Sequence, residues 1–176
     1  MDILNHSEIT LRQAGYVTWP WSGGRVPVLC FENLSLIGFL HAFPSAQSLV
    51  SGWEEAQKAA LARFAPALKL SGAKAWNVYS VFLTEEMAPT LAKPIERIEE
   101  DFSLTRKISR SGVKSAADLQ QALLTLLPIL SQPTLDQADF NQRLRARLKD
   151  LSPTAVTAFI GTGKPRDIVE ILEESP

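Results

Sequence analysis

Apolar residues recur along this chain with two periods, and the switches between them mark the elements. Residues 2–15 place Ile3, Leu4, Ile9 and Leu11 among polar positions, which predicts a short helix stopped at Gly15. Residues 16–25, YVTWPWSGGR, bracket Pro20 with Trp19 and Trp21 and then run into Gly23-Gly24. They predict a turn-rich aromatic connector. Residues 26–32 and 36–43 are rich in strand formers, and Glu32-Asn33 suits the turn of a hairpin between them. Pro27, near the start of the first strand, suits an edge position.

From residue 45 the period lengthens. Trp53, Ala56, Ala60, Leu61 and Phe64 share one helical face, with Glu54, Glu55, Lys58 and Arg63 elsewhere. One long helix is expected through about Phe64, disturbed at Pro66. Residues 75–84 alternate Trp76, Val78, Ser80 and Phe82 against Asn77, Tyr79, Val81 and Leu83. Both faces are largely apolar, which predicts a central strand. A short helix over 94–101 follows, with Ile95 and Ile98 three apart and Pro94 in its first turn. Residues 102–110 set Phe102, Leu104, Arg106 and Ile108 against Ser103, Thr105, Lys107 and Ser109. They read as a last strand with one polar face.

Beyond Gly112 the pattern is helical. Ser115 and Asp118 have capping-box spacing before Leu119, Leu123, Leu126 and Leu127, and Pro128 stops that helix. Further helices are expected over 136–151, 153–160 and 164–174. The fold class is therefore α+β. It has one mostly antiparallel sheet of about four strands flanked by helices, and a helical C-terminal third. Residues 1–112 form the sheet-bearing core and 113–176 a helical subdomain packed on it, within one structural domain.

Composition narrows the function. The chain has 176 residues, 45% of them hydrophobic, which suits one globular domain. Eighteen Lys+Arg face nineteen Asp+Glu, against a surface built wholly for nucleic acid. Cys30, the single cysteine, lies in an apolar run and reads as a small buried hydrophobe. The N-terminus lacks the basic start and apolar stretch of a signal peptide, and no apolar run approaches the ~20 residues of a membrane span. A cytoplasmic location is expected.

Catalytic motifs are missing. Gly161-Thr162-Gly163-Lys164-Pro165 lacks the leading glycine and trailing Ser/Thr of a phosphate loop, and Pro165 removes an amide donor. There is no dinucleotide fingerprint, zinc pair or nucleophile elbow; His41, between Phe39 and Phe43, reads as structural. Polar chemistry concentrates instead in residues 96–110, with Glu96, Arg97, Glu99, Glu100 and Asp101 followed by Arg106, Lys107 and Arg110. A metal-dependent nuclease or hydrolase would use Glu96, Glu99, Asp101 and Lys107. Thr105 stands where a sheet nuclease needs an acid two residues before its lysine. A third reading, a nucleic-acid adaptor, rests on Arg143, Arg145, Arg147 and Lys149.

The strings WNVYSVFLTEE (76–86) and IEEDFSLTRKI (98–108) carry a family likeness. The chain resembles the middle components of ABC-three component systems, small proteins encoded beside an SMC-like ATPase in bacterial Lamassu-type anti-phage operons. The resemblance covers about 35 residues, with an echo in the Leu126–Pro128 segment. It implies a non-enzymatic adaptor joining the ATPase to an effector, meeting DNA only through that complex and needing no cofactor or small-molecule substrate. The expected partner surface is Trp76, Asn77, Tyr79, Glu99, Asp101, Arg106 and Lys107, together with the C-terminal helices. Trp76, Asn77 and Tyr79 would shape the core beside it.

Overall fold

The computed structural model describes residues 1–128 and, beyond them, Arg147, Leu148, Thr154, Val156 and Thr157. The chain divides into two compact units, Met1–Pro128 and Ile129–Pro176. The helices expected over 136–151, 153–160 and 164–174 fall almost wholly outside the described residues, as does the loop 161–165.

The first unit is α+β. Helix α1 (Ile3–Gln13) is capped by Asp2, whose carboxylate accepts from the Asn5 amide at 3.1 Å. It ends before Gly15, whose φ of +86° turns the chain into the sheet. Strands β1 (Val17–Trp21), β2 (Val28–Glu32) and β3 (Ile37–Phe43) form an antiparallel meander. Helix α2 (Ala46–Leu70) and a 3₁₀ turn (Gly72–Trp76) lead to β4 (Val78–Thr84). A second 3₁₀ turn (Pro89–Leu91) and helix α3 (Ala92–Glu100) lead to β5 (Arg106–Arg110), and α4 (Ala116–Ala122) follows.

The five strands form one sheet in chain order. β3–β4 and β4–β5 are parallel, so the sheet is mixed and not mostly antiparallel. The reason is the two helical crossovers: α2 and α3 each return the chain to the sheet end where the previous strand began. The additional strand is β1, inside the segment expected to be a connector. Trp19 and Trp21 stack edge-on against Phe64 of α2, which holds the strand down. Pro20 sits on an outermost strand, where its missing N–H breaks no ladder bond. Pro27 instead precedes β2, an interior strand. The expected hairpin turn is present between β2 and β3, where Asn33 Oδ1 accepts from the amides of Ser35 and Leu36 at 2.8 and 3.0 Å.

Strand alternation divides the core into two layers. Leu29, Phe31, Leu40, Val81, Leu83 and Ile108 meet α1 and α4 on one face. Cys30, Phe39, Ala60 and Val78, then Phe43, Leu49, Phe82 and Ile98, fill the other face beneath α2 and α3. Each of the fully buried Phe and Leu side chains contributes about 1.5–3 kcal/mol by leaving water. α2 runs past Pro66 to Leu70, beyond the expected stop, with its start fixed by a Ser45/Ser48 capping box. α4 belongs to this first unit: Leu119, Leu123 and Leu126 are buried against the sheet, and Tyr16 donates to Leu126 O at 2.6 Å. The division therefore falls at Pro128, where those leucines end, and not at Gly112.

Two positions test this packing. A Cβ added at Gly38 would lie 2.0 Å from the Phe31 ring. Gly38→Ala is expected to cost about 2 kcal/mol by overpacking, read as a lower urea midpoint. His41 is fully buried, stacks on Phe82 at 5.3 Å, and neither ring nitrogen has a partner among the described residues. Burial pushes its imidazole from 6.5 down to about 4. The folded chain thus keeps His41 neutral where the unfolded chain protonates it. That contribution, about 3 kcal/mol, is complete above pH 6.5 and is lost as pH falls toward 4. His41→Leu should flatten the fall in urea midpoint between pH 6.5 and 4.

Candidate functional site

The residues expected at the site converge on the stretch that joins α3 to β5. Asp101 ends α3, its amide still bonded to Ile98 O at 3.3 Å. Ser103 folds back on it: amide and hydroxyl reach Asp101 Oδ1 at 2.7 and 2.5 Å. This is the Asx turn that an Asp-x-Ser string favours. Leu104 then takes φ +68°, the left-handed region that a branched side chain rarely enters.

Lys107 holds this turn in place. Its ammonium meets Asp101 O at 2.6 Å, Ser103 O at 2.7 Å, Thr105 O at 3.1 Å and Asp101 Oδ1 at 3.2 Å. An ammonium has three protons, so these four oxygens satisfy it completely. The side chain is wholly buried, and Nζ lies 5.5 Å from the centre of the Trp53 ring. Next to it, Thr105 Oγ1 lies 2.9 Å from Gln57 Oε1 and 3.0 Å from Ser80 Oγ. These bonds tie the loop to α2 and β4. The Ser103 hydroxyl and amide, with Lys107 behind them, lower the Asp101 carboxyl from 3.8 to about 2. Its contribution to stability is therefore present above about pH 4 and is lost as pH falls through 2.

The face of β5 expected to be polar is thus buried, as is Ile108 on the other face. Thr105, Lys107 and Ser109 are covered, because α2 and α3 roof that side and every oxygen around Lys107 finds a donor. Phe102 and Leu104, expected on the apolar face of a strand beginning at residue 102, precede β5 and are 83% and 66% exposed. Trp76, expected to shape the core, is 89% exposed, because it ends the 3₁₀ turn outside β4. Asn77 bonds Ser35 O at 3.1 Å and its carbonyl accepts from Ile37. Tyr79 is half-buried on the α1/α4 face and receives Arg106 at 3.2 Å, whose guanidinium carbon lies 5.8 Å from the ring centre. Arg106 pairs with no carboxylate among the described residues. Glu99 accepts from the Ser109 amide at 2.7 Å and pairs with Arg110, which blunts the open edge of β5.

Strand register extends this into a row. Val17 pairs with Glu32, Glu32 with Ile37, Ile37 with Val78, and Tyr79 with Arg106. Val17, the turn residue Leu34, Trp76 and Leu104 therefore stand along one end of the sheet, and Leu70 closes α2 at the same end. All five are exposed. Across five strands this rim spans about 19 Å. A depression of about 440 Å³ lies between Val17 and Leu34, with the Glu32–Lys74 pair in its wall.

Reactive chemistry is weak elsewhere. Burial pushes the Cys30 thiol up to about 12, far from a nucleophilic thiolate. Among the described residues no three His, Cys, Asp or Glu gather as metal ligands. The four groups of the nuclease reading go separate ways: Glu99 to Arg110, Asp101 and Lys107 to each other, and Glu96 to solvent without a partner among the described residues. At the opposite end of the sheet, where open α/β sheets commonly hold ligands, Glu86 Oε2 takes the Ala46 amide at 2.6 Å. The start of α2 is thereby filled by the chain's own carboxylate. Arg147 is exposed, and Arg143, Arg145 and Lys149 lie outside the described residues. No described helix is long and apolar enough to cross a membrane.

Comparison with protein families, curated proteins and solved structures returned no match. The rim therefore rests on its own geometry. Lys107→Met, which keeps the length and removes the charge, should strand the four oxygens that cage the ammonium and destabilise the chain by about 3 kcal/mol in urea unfolding. Hydrogen exchange at the Ser103 and Thr105 amides should accelerate. Lys107→Arg should not rescue either readout, because a planar guanidinium cannot reproduce this cage.

Proposed function

We propose that this protein works by binding other proteins, as a non-enzymatic accessory subunit. One observation carries the reading: Trp76, Phe102 and Leu104 stand in water on a frame braced by a fully bonded buried lysine. A flexible apolar loop would lose much of its binding energy to ordering; a braced one keeps it. Large apolar side chains in a contiguous exposed row are a common mark of protein interfaces. The separation of Glu96, Glu99 and Asp101 supports binding over metal-dependent hydrolysis.

The resemblance stated above supplies the partners. In this proposal they are an SMC-like ATPase and an effector of a Lamassu-type anti-phage complex in the bacterial cytoplasm. DNA is met through that complex. The tagged chain, expressed with its neighbouring genes in its native host, should co-purify with a large ATPase. Trp76→Ser with Phe102→Ser should abolish that recovery while leaving the melting temperature of the chain near wild type, because both side chains are already in water. A chain that purifies alone and monodisperse overturns the obligate-subunit reading.

A further inference from the structure

The apolar rim is accompanied by one fixed and unmatched charge. Along this end of the sheet Lys74 is paired with Glu32, Lys107 with Asp101, and Arg12 with Glu8. Lys69 lies in the last turn of α2, where a cation answers the helix dipole. Glu100 ends α3, in the layer on the far face of the sheet. Arg106 differs from all of these. It is exposed, its side chain shares the α1/α4 face with Tyr79, and it is held by the Tyr79 hydroxyl and ring. Among the described residues one of its five N–H donors is engaged, at Tyr79, so the guanidinium is oriented and still able to grip a carboxylate through two parallel bonds. It begins β5 two residues after Leu104, and its register partner Tyr79 lies three residues after Trp76.

We propose that this corner takes a short segment of a partner protein in which a carboxylate stands beside apolar residues. The carboxylate docks on Arg106, and the apolar side chains lie against Leu104 and Trp76. This rests on the protein-binding reading above and names its chemistry. Charge complementarity selects the occupant: Trp, Tyr and Arg together are the usual composition of a protein hot spot. A nucleic-acid strand would ask for several cations spaced along its phosphates; Lys69 and Arg97 stand in the last turns of α2 and α3, and among the described residues Arg106 alone of the three is oriented by a side-chain partner. Because Tyr79 already orients Arg106, little side-chain freedom is lost when the carboxylate arrives.

A phage-displayed library of random peptides, selected on the immobilised full-length chain, tests the assignment. The expected consensus carries Asp or Glu within three residues of a large apolar residue. A fluorescein-labelled consensus peptide should bind Arg106→Glu at least tenfold more weakly than wild type. The same peptide with its acid changed to Lys should regain affinity for that variant. Arg106 is exposed, so the variant should fold, and an unchanged melting temperature checks this. A wholly apolar consensus, or one indifferent to Arg106→Glu but lost in Trp76→Ser, overturns the acidic assignment and leaves the protein-binding reading standing. A consensus-free selection with a concentration-dependent dimer that Trp76→Ser abolishes overturns it in favour of a second copy of this chain. Preferential binding of a labelled oligonucleotide, abolished by Arg106→Glu, overturns it in favour of nucleic acid. No enrichment from a chain that stays monomeric overturns both readings.

Discussion

A buried ammonium with every proton bonded is the constraint on which this end of the molecule depends. Lys107 sits under α2 with its side chain fully covered, and a bare charge there would be prohibitively unstable. Three main-chain carbonyls and one carboxylate meet that requirement, and all four come from residues 101–105. The loop therefore has little choice of shape. Its path forces Leu104 into the left-handed region and turns Phe102 outward. Strain of this kind persists only where the surroundings over-determine the backbone, and here the lysine cage supplies that determination.

The rest of the sheet is built to hold that cage still. Gln57, Ser80 and Thr105 link α2, β4 and the loop through buried hydroxyl and amide bonds. Trp53 covers the ammonium from α2 and meets Phe82 at 5.8 Å, which joins the cage to the aromatic layer of Phe43 and Phe82. The open edges of the sheet are both discouraged from pairing: β1 by Pro20, and β5 by Glu99 on the Ser109 amide. Val17, Leu34, Leu70, Trp76 and Leu104 gather exposed apolar surface at one end of the strands, while Ile9, Met87 and Leu124 are exposed elsewhere.

Three polar groups of kinds that elsewhere serve catalysis are occupied or neutralised in this unit. Glu86 closes the start of α2, His41 is held neutral between aromatic rings, and the Cys30 thiol is buried. In the proposed binding role, a partner would meet the apolar rim and the oriented Arg106. That combination favours recognition, where a rigid frame and complementary charge decide partner choice.

Period alone was enough for the type of most elements, though not of β1. The alternation at 75–84 located the central strand, the spacing from Trp53 to Phe64 located α2, and Asn33 located the hairpin turn. The acidic and basic residues between Glu96 and Arg110 were visible as a cluster, and Asp101–Lys107 did form a pair. The apolar face of β5 was read correctly at Ile108, which is buried, but the burial of the polar face and the exposure of Trp76, Phe102 and Leu104 were not foreseen. The sequence pattern missed β1 because Pro20 and the tryptophans look like a connector until Phe64 is packed beneath them. The Asp-x-Ser string at 101–103 was the one local signal that the strand begins later than its alternation suggests. Burial of a polar face depends on whether distant carbonyls and hydroxyls arrive to satisfy it. For Lys107 the roof over the cage comes from α2, and Gln57, which ties its loop to that helix, is fifty residues away in the chain. No local period encodes that, so only the tertiary structure could decide that the polar side of β5 is covered as well as its apolar side.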